Sequence, residues 1–436
     1  MNGRNTKTIG RTVAALAVAG ALTLPAANAA ADEHGSRGGS WIGNVPEGEE
    51  HLLGQTKSGL DVLIERDFDV LQDKRVGLVT NHTAFTRDNV HIIDVLWDAP
   101  EVELVALFAP EHGIRGDEDS PVGDTVDDET GLYIHSLYGQ TRRPTPEMFE
   151  ELDVVVFDMQ DIGTRFYTYI STMAYCMEEA ANQGIEIVVL DRPNPIGGLK
   201  VEGAVSTAED LFGGFTSVRP IATRHGMTVG ELALMFNEEW DGIGVDLTVV
   251  EGENYRRWMY FDQTGLHWEH PSPNMKTMNG AILYPGPGTG ETTMLSTGRG
   301  LDRPFEKYGA PYMDGRAVAE NLANRETPGV RFVATTFEPT APYHRYRYEE
   351  CGGVFAIVYD REKLNSVLAG LHMFQAMYET HPEEYTATGG FRTSMGNGEV
   401  WGMLTEEGKS PEEILEFLQP ELDEFKAIRE NYLIYD

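Results

Sequence analysis

Four short runs rich in Val, Ile and Leu recur through the first half of the chain, and each is closed by polar and charged residues. They cover Arg75–Thr80, Leu104–Phe108, Val154–Phe157 and Glu186–Leu190, and their apolar residues are successive rather than alternate. A strand without a polar face has to be covered on both sides, which is the condition of a buried parallel sheet. Helical patterns separate the runs at Val90–Asp98, Pro146–Glu151 and Tyr169–Gln183, the last stopped by Gly184. This alternation predicts a doubly wound α/β domain.

In such sheets ligands bind outside the carboxyl ends of the strands. Here those ends read Thr80-Asn81-His82-Thr83, Ala109-Pro110-Glu111-His112-Gly113, Asp158-Met159-Gln160-Asp161-Ile162-Gly163-Thr164-Arg165 and Asp191-Arg192-Pro193-Asn194-Pro195. Four strands therefore deliver acids, amides, His and Arg to one rim. That convergence marks the rim as the expected site.

Beyond it, Thr228–Glu239 reads as an amphipathic helix and Val245–Val250 as a strand. Tyr255–Gly300 is rich in Trp, His, Pro, Gly and Asn and reads as loop-built binding surface. The remainder predicts strands at Val330–Thr336 and Val354–Tyr359 and helices at Lys363–Glu379, Pro411–Leu418 and Pro420–Glu430. A boundary near residue 280 divides a larger α/β domain, 48–280, from a smaller α+β domain, 281–436. No internal repeat is visible.

The N-terminus predicts export. Arg4, Lys7 and Arg11 precede the apolar run Val13–Leu24, and Ala27-Asn28-Ala29 supplies small residues for cleavage. The run is shorter than the roughly 20 residues that a membrane span needs. Residues 1–31 are read as a cleavable secretory signal and 32–47 as a flexible leader, so the mature protein is expected outside the cytoplasm, with no membrane span. The formal net charge is −36, and removal of a cationic signal makes it more negative. A surface of that sign excludes nucleic acid as a partner. Cys176 and Cys351 are the chain's two cysteines. They are read as buried free thiols, too few for a disulfide scaffold or a Cys-based metal site.

Glu111 follows a strand and precedes Gly113, a setting in which a carboxyl could be tuned as a general acid. Asp158 and Asp161, with Arg165, form a second charged cluster, suited to sugar hydroxyls or to a catalytic partner; Asp161 or Thr164 could instead cap the following helix. Tyr133, Tyr138, Tyr167 and Tyr169 offer aromatic surface of the type that stacks on sugar rings. Several lookalikes fail. Gly286–Thr292 lacks the Gly-Lys-Ser/Thr ending of a phosphate loop. His267-Trp268-Glu269-His270 lies beside Pro271 and Pro273 and lacks the helical four-residue spacing of a zinc site. Asp117–Asp128 lacks calcium-loop spacing. Neither a Gly-x-Ser-x-Gly elbow nor a dinucleotide fingerprint is present. No metal and no cofactor are expected.

The four strand ends, the continuation Phe166-Tyr167-Thr168-Tyr169, Pro271-Ser272-Pro273-Asn274-Met275, Tyr284-Pro285-Gly286, Gly298-Arg299-Gly300 and Arg303-Pro304-Phe305 together resemble the exo-β-N-acetylmuramidase (NamZ-type) family. The resemblance runs in order from about Gly59 to Tyr432-Leu433. It implies a Rossmann-like N-terminal domain, a smaller C-terminal domain and an active-site cleft between them. It also implies hydrolytic release of N-acetylmuramic acid from the non-reducing ends of peptidoglycan fragments, in cell-wall turnover or recycling. Glu111 matches the carboxylate of the family's Pro-Glu-His-Gly motif. His112, Asp158 and Asp161 match catalytic-cleft positions, and Asn81, Tyr138, Arg165, Tyr167, Asn194, Asn274, Glu291 and Arg299 are the implied substrate-binding residues. The family reads Glu-Gly-Thr-Asn shortly before Gly-Arg-Gly, whereas this chain has Glu291-Thr292-Thr293-Met294.

On that resemblance Glu111 is the expected acid, with Asp158, Asp161 or Glu291 as base or nucleophile, unless the substrate's 2-acetamido group attacks and an Asp orients it. Arg165 or Arg299 is expected to pair with the lactyl carboxylate. Two other classes fit parts of the pattern: an exported sugar- or muropeptide-binding protein without catalysis, and a serine or metal-dependent hydrolase of another bond.

Overall fold

The computed structural model describes residues 45–436 apart from 112, 115–122 and 343. The expected signal segment, most of the leader and His112 lie outside the described residues. Twelve strands are named among those described: β1 (Arg75–Thr80), β2 (Glu103–Ala109), β3 (Thr125–Val126), β4 (Tyr133–Ser136), β5 (Val154–Asp158), β6 (Glu186–Leu190), β7 (Glu202–Val205), β8 (Ala222–Arg224), β9 (Leu247–Val250), β10 (Lys307–Ala310), β11 (Val330–Phe337) and β12 (Cys351–Val358).

The apolar runs form the centre of a seven-stranded sheet ordered β3-β4-β2-β1-β5-β6-β9. All neighbours pair in parallel except β3 with β4. Side-chain alternation sends Val155, Phe157, Ile187 and Val189 into the core under the helix Tyr169–Gln183. It sends Val154, Val156, Val188 and Leu190 into a second core on the opposite face, beside the helices Gly59–Glu65 and Ile92–Asp98. Burial on both faces is what the unbroken apolar runs demanded.

Strand order reverses between β1 and β5, since the chain builds outward through β2 and β4 on one side and through β6 and β9 on the other. In open α/β sheets the carboxyl side of such a switch point is where ligands bind. Thr80 stands opposite Asp158 in that register, and its hydroxyl donates to the Asp158 carbonyl at 2.9 Å.

Residues beyond 280 carry a three-stranded antiparallel sheet, β10-β12-β11, so the chain combines a large mostly parallel sheet with a smaller second domain. Pro420 does not divide the final helix, which runs unbroken over Pro411–Arg429. Both Pro420 and Glu416, whose carbonyl loses its intrahelical donor, are exposed, so water can satisfy that group. The Gly286–Thr292 stretch is packing: a Cβ at Gly286 would lie 1.7 Å from the Ser366 carbonyl oxygen at the start of the helix Ser366–Thr380. Cys176 and Cys351 are buried free thiols.

Residues 429–436 return to the first sheet. Arg429 donates to the Gly226 carbonyl (2.7 Å), Ile434 N to Glu231 Oε1 (2.9 Å) and the Tyr435 hydroxyl to Asp191 Oδ2 (2.7 Å). Ile42–Asp436 packs as one compact unit.

Candidate active site

Glu111 stands two residues past β2, half-buried, and its Oε2 accepts from the Thr168 hydroxyl at 2.7 Å. Thr168 is the residue before the helix Tyr169–Gln183, and its hydroxyl serves Glu111 instead of capping that helix. Three buried tyrosines surround this pair. The rings of Tyr167 and Tyr169 meet edge-on at 4.9 Å, and Tyr167 meets Tyr284 at 6.2 Å. Burial pushes all three phenols up, and the Glu111 carboxylate adds to the effect at each. The phenols therefore stay neutral, as donors and stacking surface.

Asp161 reaches the same cluster, because its charge also acts on Tyr169. Its Oδ2 accepts from Gly163 N at 2.6 Å and lies 3.4 Å from His225 Nε2. Its Oδ1 is buried and has no hydrogen-bond partner, and the same holds for Gln160 Oε1 next to it in the chain. Unpartnered buried acceptors are rare and call for an explanation.

Asp158 takes a different position. It is fully buried, and both oxygens are held by Arg192: Nη2 donates to Oδ2 at 2.8 Å and Nε pairs with Oδ1. Burial raises its pKa, and Arg192 opposes that rise. Arg192 also donates to the Phe85 carbonyl at 3.2 Å, tying the ends of β1, β5 and β6 together.

Arg165 is likewise fully buried. Its guanidinium donates to Ser217 Oγ (3.0 Å), the Thr393 carbonyl (3.0 Å) and the Ser394 carbonyl (2.8 Å), at the C-terminal end of the helix Phe391–Met395. Burial without a carboxylate partner lowers its pKa to about 9.

Arg299 pairs with Glu291, Nη2 to Oε2 at 2.7 Å, and lies over the Phe305 ring at 5.1 Å. Phe305 packs edge-on against Tyr284 at 4.7 Å, and the Tyr284 phenol is influenced by Glu291, Arg299 and Glu111 together. Asn274 Oδ1 accepts from Gly300 N at 2.7 Å and so fixes the loop that carries Arg299.

The remaining amides support loops. Asn81 Oδ1 accepts from Thr83 N (2.9 Å) and from the Thr83 hydroxyl (2.6 Å), leaving its amide nitrogen beside Tyr169. Asn194 donates to the Met227 carbonyl (2.9 Å) and accepts from Ile196 N (3.1 Å). Tyr138 sits with Phe215 at 5.8 Å and beneath Arg142 at 5.2 Å. Tyr133 donates to Asp124 at the exposed sheet edge.

Glu111, Asp161, Tyr167 and the Glu291–Arg299 pair thus gather around one aromatic wall, while Asp158, Arg165 and Asn194 brace the loops behind it. Pattern reading did not single out Thr168 or His225. Thr168 was named only within the run Phe166-Tyr167-Thr168-Tyr169 that carries the family resemblance, with no role assigned. His225 follows the three-residue strand β8, which pairs with β7 and leaves no periodic trace in sequence. Among the described residues no group of three or more His, Cys, Asp or Glu is placed to hold a metal ion. No helix among them is long and apolar enough to cross a membrane.

Comparison with known proteins agrees with this architecture. Residues 76–279 match the family model of the exo-β-N-acetylmuramidase NamZ N-terminal domain, and residues 282–435 match that of its C-terminal domain. A peptidoglycan β-N-acetylmuramidase NamZ from Bacillus subtilis is 42% identical over 385 residues, covering 87% of this chain and 92% of that protein. Two crystal structures of DUF1343 family proteins from Bacteroides fragilis superpose with TM-scores of 0.81 and 0.70, at 37% and 30% identity. Each match covers 87% of this chain and 99% of the other. The chain belongs to the NamZ family of exo-β-N-acetylmuramidases.

Proposed function

We propose that this protein is an exo-acting glycoside hydrolase that releases N-acetylmuramic acid from the non-reducing ends of peptidoglycan fragments, outside the cytoplasm. Family membership supports the reaction. The observation that carries the residue assignment is Glu111, fixed by Thr168 against three neutral tyrosines. The N-terminal signal pattern supports export, since wall fragments lie beyond the membrane. The Rossmann-like crevice at the β1–β5 switch point, facing the Tyr284–Arg299 region, is the cleft of this reading.

Glycoside hydrolysis needs one group to protonate the leaving oxygen and another to manage the oxocarbenium-like centre. Glu111 is the acid. Asp161, with an unpartnered oxygen, and Glu291, paired with Arg299, are the second carboxylates of the site. Asp158 positions the rim through Arg192. Arg299, paired with Glu291 and lying over the Phe305 ring beside Tyr284, takes the lactyl carboxylate, whereas the Arg165 guanidinium is fully buried on three interior acceptors.

Glu111→Gln, assayed on a chromogenic β-N-acetylmuramide, tests the assignment. It lowers kcat by about a hundredfold or more, the range expected for loss of general acid catalysis. Turnover within tenfold of wild type would overturn the acid role. A wild-type protein that binds muropeptides and returns them intact would overturn hydrolysis itself.

A further inference from the structure

We infer that His225 is a positioning residue whose task is to hold the Asp161 carboxylate so that its free oxygen receives the N–H of the substrate's 2-acetamido group; this rests on the muramidase reading above. His225 is completely buried. Its Nδ1 accepts from Met227 N at 3.2 Å, so in the neutral ring the proton sits on Nε2. Nε2 lies 3.4 Å from Asp161 Oδ2. The backbone thus selects the tautomer that offers an N–H to the carboxylate. Gly163 N holds the same oxygen from a second direction, at 2.6 Å. Gly163 N thus pins Oδ2, His225 Nε2 faces the same oxygen at 3.4 Å without closing a hydrogen bond, and Oδ1 is left buried and unpartnered.

The placement of His225 is built into the fold. It follows Arg224, which forms an isolated antiparallel bridge with Thr164, and Arg165 N donates to the Thr223 carbonyl at 2.9 Å. The β7–β8 ribbon is therefore stitched to the loop that carries Asp161. Arg224 is in turn paired with Glu202 of β7 at 3.0 Å, an ion pair that closes the two strands of the ribbon on each other.

A buried anionic oxygen without a donor is costly until a ligand supplies one. A 2-acetamido sugar brings an amide N–H next to its anomeric carbon. In the first half-reaction, the acetamido carbonyl oxygen bonds to the anomeric carbon. The C1–O bond to the leaving sugar breaks, and its electron pair takes the Glu111 proton. The amide nitrogen gains positive character, and Asp161 Oδ1 accepts its N–H more strongly. Water then adds to C1 and gives a proton back to Glu111, while the C1–O bond to the acetamido oxygen breaks and its electron pair returns to the acetamido group. The outcome is retention of the β configuration.

The experiment compares His225→Phe, His225→Gln and Asp161→Asn on the same chromogenic β-N-acetylmuramide, with proton NMR of the first anomer released by wild type. His225→Phe removes the donor and keeps a ring; the Gln side chain can return a donor near the Nε2 position. The expected result is a kcat about thirtyfold lower for the Phe variant with KM within about threefold, and recovery to within about fivefold in the Gln variant. Asp161→Asn lowers kcat by about a hundredfold or more and provides the same test if the Phe variant fails to fold. The first product is the β anomer. A Phe variant within threefold of wild-type kcat, an Asn variant within tenfold, or release of the α anomer would overturn the inference. These failures leave the Glu111→Gln result intact, so they are distinguishable from failure of the hydrolase assignment.

Discussion

The Thr168 hydroxyl donates to Glu111 Oε2 at 2.7 Å, joining the end of β2 to the start of the helix Tyr169–Gln183. The bond fixes one carboxyl oxygen and leaves the other for substrate. Thr168→Val keeps the side-chain shape and deletes the donor. It is expected to lower kcat about tenfold to thirtyfold while costing stability only about 1 kcal/mol. Thr168→Ser restores most of the rate. Steady-state kinetics with a thermal melt on each variant check both statements.

Arg165 braces the rim against the helix Phe391–Met395. Arg165→Met strands two carbonyls and a serine hydroxyl in the interior, and hydrogen bonds to charged groups are worth about 1.5–3 kcal/mol each in net terms. A loss on the order of 3 kcal/mol is expected in a denaturant titration. Activity of the folded fraction falls less than in Glu111→Gln.

Gly163 has φ of 80°, and a Cβ there would lie 2.5 Å from Asn194 Oδ1 and 2.7 Å from Ile196 Cγ1. Gly163→Ala meets both a backbone penalty of about 1–3 kcal/mol and a clash. Its amide also pins Asp161. The variant is expected to melt earlier and to lose kcat, whereas Gly184→Ala, where a Cβ would meet open space, loses stability alone.

Asp191 is buried between donors from Gly230 N (2.8 Å), Thr228 (2.7 Å) and Tyr435 (2.7 Å), and burial with the nearby Glu231 charge raises its pKa from 3.8 to about 7. Between those two values the folded chain keeps a proton that the unfolded chain has released. Its contribution to stability is complete below pH 3.8 and is lost as pH rises to about 7. Asp191→Asn removes this dependence. Unfolding free energies measured from pH 4 to 8 are expected to fall less steeply in the variant than in wild type.

Much of the first sheet was readable because it is built from local repetition. β1 and β6 coincide with their apolar runs, and the helix Tyr169–Gln183 begins and ends where its pattern does. The ribbon β7–β8 and strand β10 were not readable, since three or four residues carry no period and their pairing is decided by distant partners. The rim was legible for the same reason as the sheet: strand ends must converge there. Individual roles were not. Nothing local distinguishes Asp158, closed by an arginine 34 residues away, from Asp161, which keeps an open oxygen.

The return of residues 429–436 to the first sheet governs how the chain can be divided. The first family-model match ends at residue 279, yet buried Glu231 and Asp191 take donors from Ile434 and Tyr435. A fragment ending near residue 280 would expose those carboxylates and would not melt as an independent domain. The halves are therefore expected to unfold together, and recombination that exchanged either half alone would leave the other without the segment that closes it.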